Sequence, residues 1–385
     1  MLLVLNSLAE STLRKYGKAF KAFQAFADNR ASLNNEFAAV YDKETGVMTP
    51  HSQQHHFEIK LALTSFFAFS WKYAKKNKSW LESAMGAIKK VHHVHNAPLS
   101  DFHTSGASNF IAAIRKTSPA PVLKNPVKVS TIRAWVKEYV KDEPSVDQKR
   151  NIGDTYRMMR ATILSVLAWY GLLRVSELVP PQLTSANENT KALRVRDMWP
   201  MRKGQYFANN DPISWRNADA FSMKIRNSKT DRNGAGFTRI FEEVREKDGG
   251  HSDLCPVRLM RMYVNMDREA WVEAEEGNLT LGEVHTRGLG VRRKWRTINM
   301  KTVADFVSAE GSKIEGQQKV TSHSLRAGGA SALLASGRVD HATIMTLGRW
   351  RSTSFLRYIA KAINSTEKDA PEKKMLGGEV ILPRS

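Results

Sequence analysis

The sequence predicts an α-rich protein of two domains, in which a helical domain precedes a mixed α+β domain made mainly of helices with a small antiparallel sheet. At 385 residues, the chain is long enough for two domains with separate hydrophobic cores. Apolar residues recur at helical spacing in both halves of the chain. One stretch near the middle instead alternates apolar and polar residues around a glycine-containing turn, which is typical of a hairpin.

The first domain, residues 1–120, is predicted to be a compact module of four helices. In the first helix, apolar residues such as Tyr16 and Phe20 recur at helical spacing. Ser7 and Glu10 offer a capping box at its start. The other helices are predicted over residues 57–75, 80–94 and 108–115.

The boundary between the domains is expected near residues 117–128, with a linker at 121–128. Prolines at positions 119, 121 and 126 are incompatible with a continuous helix there.

The second domain, residues 129–362, is predicted to begin and end with helices. The predicted helices cover residues 130–140 and 155–173, and helices resume from about Thr302. Between them, the arms FSMKIRNSK and FTRIF flank the turn segment TDRNGAG, as in a hairpin. Residues 363–385 are interpreted as a tail, which ends in the small apolar patch Val380 to Leu382.

The charge of the chain indicates a polyanionic partner. The formal net charge is +21 and the isoelectric point is about 10.0, which favours DNA or RNA, although ribosomal proteins and membrane-surface binders share this balance. Residues 1–126 hold 16 Lys and Arg against 8 Asp and Glu, so the excess is not confined to one tail. Two domains that both contact a duplex would distribute the charge in this way.

The composition argues against a secreted, membrane or thiolate-metal protein. Cys255 is the single cysteine, so a disulfide framework and a zinc–thiolate site are both excluded. No signal peptide and no apolar run of membrane-spanning length is recognised. We therefore expect a nuclear protein in a eukaryotic host, and a cytoplasmic or nucleoid protein in a prokaryotic or viral setting. The histidines at 55, 56, 92, 93 and 95 have no neighbouring carboxylate pattern, so no metal is expected.

Two pairs of residues have the spacing of a phosphate site. In AWYGLLRVSEL, Glu177 follows Arg174 by three residues and could orient its guanidinium, or form a plain intrahelical ion pair. In HSLR, His323 and Arg326 lie one helical turn apart, so they could hold a phosphate with a charge and a proton carrier. Alternatively, they are isolated surface residues. The AGGAS that follows would let that helix pack closely behind a buried site.

Three further residues complete the candidate set. Lys229, in the hairpin turn, suits a general acid that must reach a leaving oxygen, although an exposed turn lysine is the simpler interpretation. Trp350 follows in a Gly-Arg-Trp turn, where it could pack or donate its indole N–H to a phosphate. Tyr358 lies on an amphipathic stretch, where it is either a nucleophile or a buried structural residue.

The order of these motifs resembles that of the tyrosine recombinases, also called phage-type integrases. The segments HSLRAGGAS and GRWRSTSFLRYI are similar in style to those of Cre-like enzymes and of eukaryotic mobile elements of the DIRS and Crypton kinds. The resemblance covers about residues 128–362. Residues 1–120 are similar only in kind to a SAM-like helical core-binding domain, which binds DNA in that family.

The resemblance implies a role for each candidate residue. Arg174 and Arg326 would clamp the phosphate, Glu177 would support the first arginine, and His323 would begin the HxxR box. Lys229 would be the hairpin lysine, Trp350 would occupy the His/Trp position, and Tyr358 would be the nucleophile. Tyr358 follows Trp350 by eight residues, one fewer than in bacterial members, so whether it acts within its own subunit or in the next is left open.

The resemblance also implies an activity. The family cuts and rejoins double-stranded DNA at recombination sites through a 3′-phosphotyrosyl link, as a tetramer and without metal, nucleotide or other cofactor. Its chain end often docks in trans on a neighbouring subunit. Two alternatives remain: a type IB topoisomerase or telomere resolvase with the same residues, and a domesticated, non-catalytic DNA-binding protein.

Overall fold

The fold is known from a computed structural model and consists mostly of helices with small antiparallel sheets, as predicted. The structure describes residues 10–118, 125–141, 152–181, 192–226, 236–246, 250, 252–266, 268–269, 271–272, 279–282, 298–314, 320–336, 339–350 and 356. The chain divides into two compact units, Met1–Pro121 and Val122–Ser385. The function predicted for each domain stays a prediction.

The first unit contains five helices and a short two-stranded ribbon among its described residues. In chain order these are α1 (Glu10–Leu33), α2 (Asn35–Ala38), β1 (Tyr41–Asp42), β2 (Val47–Met48), α3 (Gln53–Lys72), α4 (Lys78–Val94) and α5 (Asp101–Thr117). The predicted starts of α3, α4 and α5 were too late, because the side chains of Ser52, Asn77 and Ser100 cap these helices further upstream. The capping box predicted at Ser7 lies outside the described residues.

Three histidines help to hold the first unit together. His92 is fully buried, and its Nδ1 donates to the carbonyl of Ile88 at 2.9 Å while its Nε2 accepts from the amide of Met48 at 3.0 Å. This neutral tautomer connects α4 to β2. Burial lowers the pKa of His92 to about 4. His56 and His103 stack with their rings nearly parallel and share a 2.7 Å hydrogen bond between Nδ1 and Nε2.

The second unit has eight helices and a four-stranded sheet among its described residues. The helices are α6 (Val129–Tyr139), α7 (Ile152–Tyr170), α8 (Val175–Leu178), α9 (Pro212–Asn217), α10 (Pro256–Asn265), α11 (Met300–Ile314), α12 (Ser322–Ala335) and α13 (His341–Gly348). The strands are β3 (Met198–Arg202), β4 (Gln205–Tyr206), β5 (Ala220–Ile225) and β6 (Phe237–Glu242), and a 3-10 turn covers Val195–Asp197. No described helix in either unit combines the length and apolarity needed to cross a membrane.

The sheet of the second unit is antiparallel throughout, in the order β4-β3-β5-β6. The predicted hairpin is confirmed, because β5 and β6 pair along their whole length and Ile225 lies opposite Phe237 at the end nearest the turn. Phe221 and Phe241 stack across this pair on the buried face, with ring centroids 4.8 Å apart. The turn itself, with Lys229, lies outside the described residues.

Helix α7 runs through the middle of the second unit and packs against α6, α10, α11 and α12. Its second half, from Met159 to Trp169, is buried on all sides and is mostly apolar. The buried polar side chains of Arg160, Thr162 and Ser165 donate to backbone carbonyls. We predicted that this helix would reach Leu173, but it ends at Tyr170. The reason is local: Leu172 has a φ of 50°, in the left-handed region that ends a helix.

Candidate active site

The turn at the end of α7 sets the position of Arg174. Leu172 adopts the left-handed conformation although it is not glycine, which costs roughly 1–2 kcal/mol. The side chain of Leu172 is fully buried against Ala330 and Ile344, so packing holds the turn. Arg174 then becomes the N-cap residue of α8 rather than a residue within a continuing helix.

Glu177 joins two arginines from distant parts of the chain. Its Oε1 accepts from Nη1 of Arg174 at 2.8 Å, and its Oε2 accepts from the backbone amide of Arg174 at 2.9 Å. Oε2 also accepts from Nη2 of Arg349 at 2.6 Å. The Glu177 side chain is 3% exposed and that of Arg349 9%, so this network is buried. The i,i+3 pairing predicted for Arg174 and Glu177 is therefore present, with a third partner that was not predicted.

The start of α12 carries His323 and Arg326, one helical turn apart as predicted. His323 is exposed, whereas Arg326 is 5% exposed. The helix begins at Ser322, and the backbone amide of Thr321 donates to Oγ of Ser324 at 3.1 Å. The N-terminus of this helix adds positive potential beside the two side chains.

Two glycines allow α12 to pack directly on α7. A Cβ at Gly328 would lie 2.8 Å from the indole Nε1 of Trp169, and a Cβ at Gly329 would lie 2.8 Å from Cδ2 of Leu172. Both separations are well below a normal contact. The indole of Trp169 also donates to the carbonyl of Val127 at 3.0 Å. The small residues of AGGAS thus have the packing role that the sequence suggested.

Helix α13 ends beside Arg326 in a Schellman motif. The amide of Arg349 donates to the carbonyl of Thr346 at 3.0 Å, and the amide of Trp350 donates to the carbonyl of Met345 at 2.9 Å. Arg349 has a φ of 55°, in the position where glycine is the usual residue. The carbonyl of Gly348 accepts a hydrogen bond from Nη2 of Arg326.

The ring of Trp350 lies over Arg326. The ring centroid is 4.3 Å from Cζ of the guanidinium, within the range of a cation–π interaction. Gly348 is needed for this arrangement, because a Cβ there would lie 2.6 Å from Cη2 of Trp350. Trp350 therefore helps to orient Arg326. Its predicted donation of an indole N–H to phosphate stays a prediction.

These elements form one small pocket. Arg174, His323 and Arg326 all line it, although 149 residues of sequence separate the first from the second. Its other lining residues are Leu173, Val175, Ser176, Met300 and Ser322. The volume of about 50 Å³ has room for a few atoms. The pocket could hold one anionic group such as a phosphate, but it could not hold a whole nucleotide.

The site is strongly positive. The site contains one carboxylate, that of Glu177, and three guanidinium groups, those of Arg174, Arg326 and Arg349. These four groups together carry a charge of +2. Burial lowers the pKa of Arg349, Glu177 opposes that effect, and the charge of Arg174 adds to it. Burial likewise lowers the pKa of Arg239 on β6, and the charge of Arg349 lowers it further. Arginines remain charged despite such shifts, so an anion entering the pocket would relieve their mutual repulsion.

The structure brings together Arg174, Glu177, His323, Arg326 and Trp350, the five predicted site residues that it describes. Lys229 and Tyr358 lie outside the described residues. The base of the hairpin that carries Lys229 contacts the site, since the Phe237 ring centroid is 5.3 Å from Cζ of Arg349.

Arg349 was not predicted from the sequence, because no local pattern connects it to Glu177, which lies 172 positions away in the chain.

Comparison with known proteins gives little further information. No family model matches the chain, and no curated protein matches it. Among solved structures, the crystal structure of XerA recombinase is 14% identical over 93% of this chain and 91% of that chain, with a TM-score of 0.34. The XerH site-specific recombinase bound to a palindromic difH substrate, a post-cleavage complex, is 10% identical over 82% of this chain and 76% of that chain, with a TM-score of 0.42. Because both TM-scores lie below 0.5, neither similarity assigns a residue role to this chain.

Proposed function

We propose that this protein is a site-specific DNA recombinase or integrase of the tyrosine class. The observation that carries the proposal is the convergence of Arg174, His323 and Arg326 on one small pocket. The motif order supports it, because the pocket residues precede a Gly-Arg-Trp turn and Tyr358 in the chain. The net charge of +21 favours DNA as the source of the phosphate.

The two arginines fit the charge that develops when a phosphodiester is attacked. The non-bridging oxygens gain negative charge in the transition state, and preorganised guanidinium donors stabilise it. Arg174 is held by Glu177, and Arg326 is held by the Gly348 carbonyl and the Trp350 ring. Because each guanidinium is held by protein groups, little reorganisation is needed on reaction.

The remaining roles are those that the family resemblance implies. Tyr358 attacks the phosphorus, takes the 3′-phosphate and releases a 5′-oxygen, and a 5′-hydroxyl from a second DNA strand reverses the step. Lys229 protonates the departing oxygen. His323 is exposed at the rim of the pocket, where it could accept the proton of the Tyr358 hydroxyl. Every proton and charge in this cycle is handled by a side chain, so the proposal includes no metal and no nucleotide.

The proposed partners follow from the reaction. Exchange between two duplexes needs two recombination sites held together, and we propose that four copies of the chain assemble on them. The basic first unit is proposed to bind DNA, with the tail at 363–385 docking on a neighbouring subunit. A mobile element in a nuclear or nucleoid setting is the proposed source.

The test is capture of the covalent intermediate. Protein would be incubated in EDTA with a pool of random-sequence duplexes. Each duplex would carry a nick, so that cleavage releases a short strand that diffuses away and leaves the protein attached. DNA that stays attached to protein in SDS would be sequenced. We expect enrichment of one sequence with wild type and no attachment with Tyr358→Phe. If wild type never attaches to DNA, the protein is a binding protein and the enzymatic proposal is wrong.

A second assay separates recombination from topoisomerase activity. Supercoiled plasmids with and without two copies of the enriched sequence would be compared. Recombinant products that require both copies support the proposal. Relaxation of both plasmids without exchange would instead indicate a type IB topoisomerase.

A further inference from the structure

Arg349 is the least expected residue of the site. It occupies the left-handed position of a Schellman motif, where glycine would be less strained, and its side chain is buried rather than solvated. Both features oppose an arginine at this position, so the guanidinium must contribute something that glycine could not.

The contacts of Arg349 indicate what it contributes. Its Nη2 donates to Oε2 of Glu177 at 2.6 Å, and that same oxygen accepts from the backbone amide of Arg174 at 2.9 Å. The other oxygen of Glu177 is then directed to Nη1 of Arg174 at 2.8 Å. Arg349 thus determines which way the carboxylate faces, and the carboxylate determines where the Arg174 guanidinium lies. Because it acts through Glu177, Arg349 is a positioning residue.

The place of Arg349 in the chain adds a second consideration. It follows the last residue of α13, and Tyr358 lies nine residues further along the chain. Trp350 meanwhile packs over Arg326. These two neighbouring residues therefore orient different arginines. Trp350 contacts Arg326 with its ring, and Arg349 acts on Arg174 through the carboxylate of Glu177.

Resting on the proposed function, we infer that Arg349 orients Arg174 for cleavage through the shared carboxylate of Glu177. Through this contact, the segment that leads to the nucleophile is joined directly to the phosphate clamp. The phosphate clamp is then fully formed only when α13 is docked.

The experiment uses Arg349→Gly, because glycine suits the left-handed turn and preserves the backbone that holds Gly348 and Trp350. The full-length protein would be assayed in single turnover on the sequence enriched by wild type, with DNA affinity measured on the same duplex. We expect affinity to change less than about threefold and the rate of covalent attachment to fall about 100-fold. Arg349→Lys keeps the charge and should recover part of the rate.

Two comparisons distinguish positioning from a general effect on folding. The double variant Arg349→Gly/Glu177→Gln should react no more slowly than the slower single variant, because both act through one carboxylate. On a substrate whose scissile phosphate is a neutral methylphosphonate, the defect of Arg349→Gly should shrink at least about tenfold, since less charge needs to be neutralised. A folding defect would reduce the rate equally on both substrates.

The outcomes separate this inference from the proposed function. If wild type attaches to DNA and Arg349→Gly attaches at the same rate, the inference is wrong and the function stands. Multiplicative losses in the double variant, or equal losses on both substrates, would also overturn it. If wild type itself never attaches, the function fails and the inference fails with it.

Discussion

Substitution of Gly329 by alanine tests whether α12 and α7 must pack as closely as the structure shows. The added Cβ would overlap the carbonyl oxygen of Trp169, and it would lie 2.8 Å from Cδ2 of Leu172 and 3.0 Å from the carbonyl carbon of Trp169. Carbon atoms prefer separations of about 3.5–4.0 Å, so the helices would have to separate by roughly 1 Å. The carbonyl group of Trp169 is backbone and cannot rotate away.

The magnitude combines two opposing effects. Overpacking of a core costs about 1–3 kcal/mol, while alanine in a helix is favoured over glycine by up to about 1 kcal/mol. We therefore expect the free energy of unfolding to fall by about 1–2 kcal/mol, which corresponds to a decrease of roughly 2–8 °C in Tm for a unit of this size. The same displacement would move Arg326 and His323 away from Arg174 and lower the rate of covalent attachment about 100-fold.

Urea unfolding and the single-turnover attachment assay measure the two effects. The matched control is Gly17→Ala, because Gly17 is exposed on α1 with nothing within 4 Å of its ideal Cβ. That control should be neutral or stabilise the protein by up to about 1 kcal/mol. If Gly329→Ala is as stable as wild type and reacts as fast, the close packing behind the pocket has no role in holding the site.

Two further predictions concern His92 and the Gly348–Trp350 contact. The folded pKa of His92, about 4, lies below its ordinary value of 6.5, so the unfolded chain binds a proton that the folded chain does not, and stability should fall by about 2 kcal/mol from pH 7 to pH 5. Urea unfolding at both pH values checks this, and an unchanged pH dependence in His92→Gln would contradict it. Gly348→Ala should lower the free energy of unfolding by about 1–3 kcal/mol, because the new Cβ overlaps the Trp350 ring. In a Trp350→Ala background, thermal unfolding should show that Gly348→Ala costs much less stability than it does in wild type. If Gly348→Ala costs the same in both backgrounds, the contact with Trp350 is not the cause.

The sequence predicted the fold well where a pattern was local. The β5–β6 hairpin, the four long helices of the first unit and the helices at the start and end of the second unit were predicted from alternation and helical spacing. The helices α2, α9 and α10 were not predicted. The errors occurred at the ends of helices, where side-chain caps or the backbone conformation determine which residue is first or last. Ser52 caps α3 before the apolar residues of that helix begin. Leu172 ends α7 with a left-handed conformation, although it is neither glycine nor proline.

The site was predictable only in part, because some of its contacts are not local. The pairing of Arg174 with Glu177 follows from their i,i+3 spacing. The contact of Arg349 with Glu177 joins residues 172 positions apart and depends on how α13 docks, which no local pattern encodes. The preference for glycine at the end of a helix also obscured Arg349, since a residue with a side chain is not expected to adopt that conformation.

Identification of the residue bonded to DNA tests the central claim most directly. Wild-type protein trapped on the nicked duplex would be digested with protease and nuclease, and the nucleotide-bearing peptide would be sequenced by mass spectrometry. We predict a single modified peptide, with the 3′-phosphate of the cleaved strand esterified to Tyr358. Attachment through any other side chain, or through a 5′-phosphate, would contradict the proposed reaction.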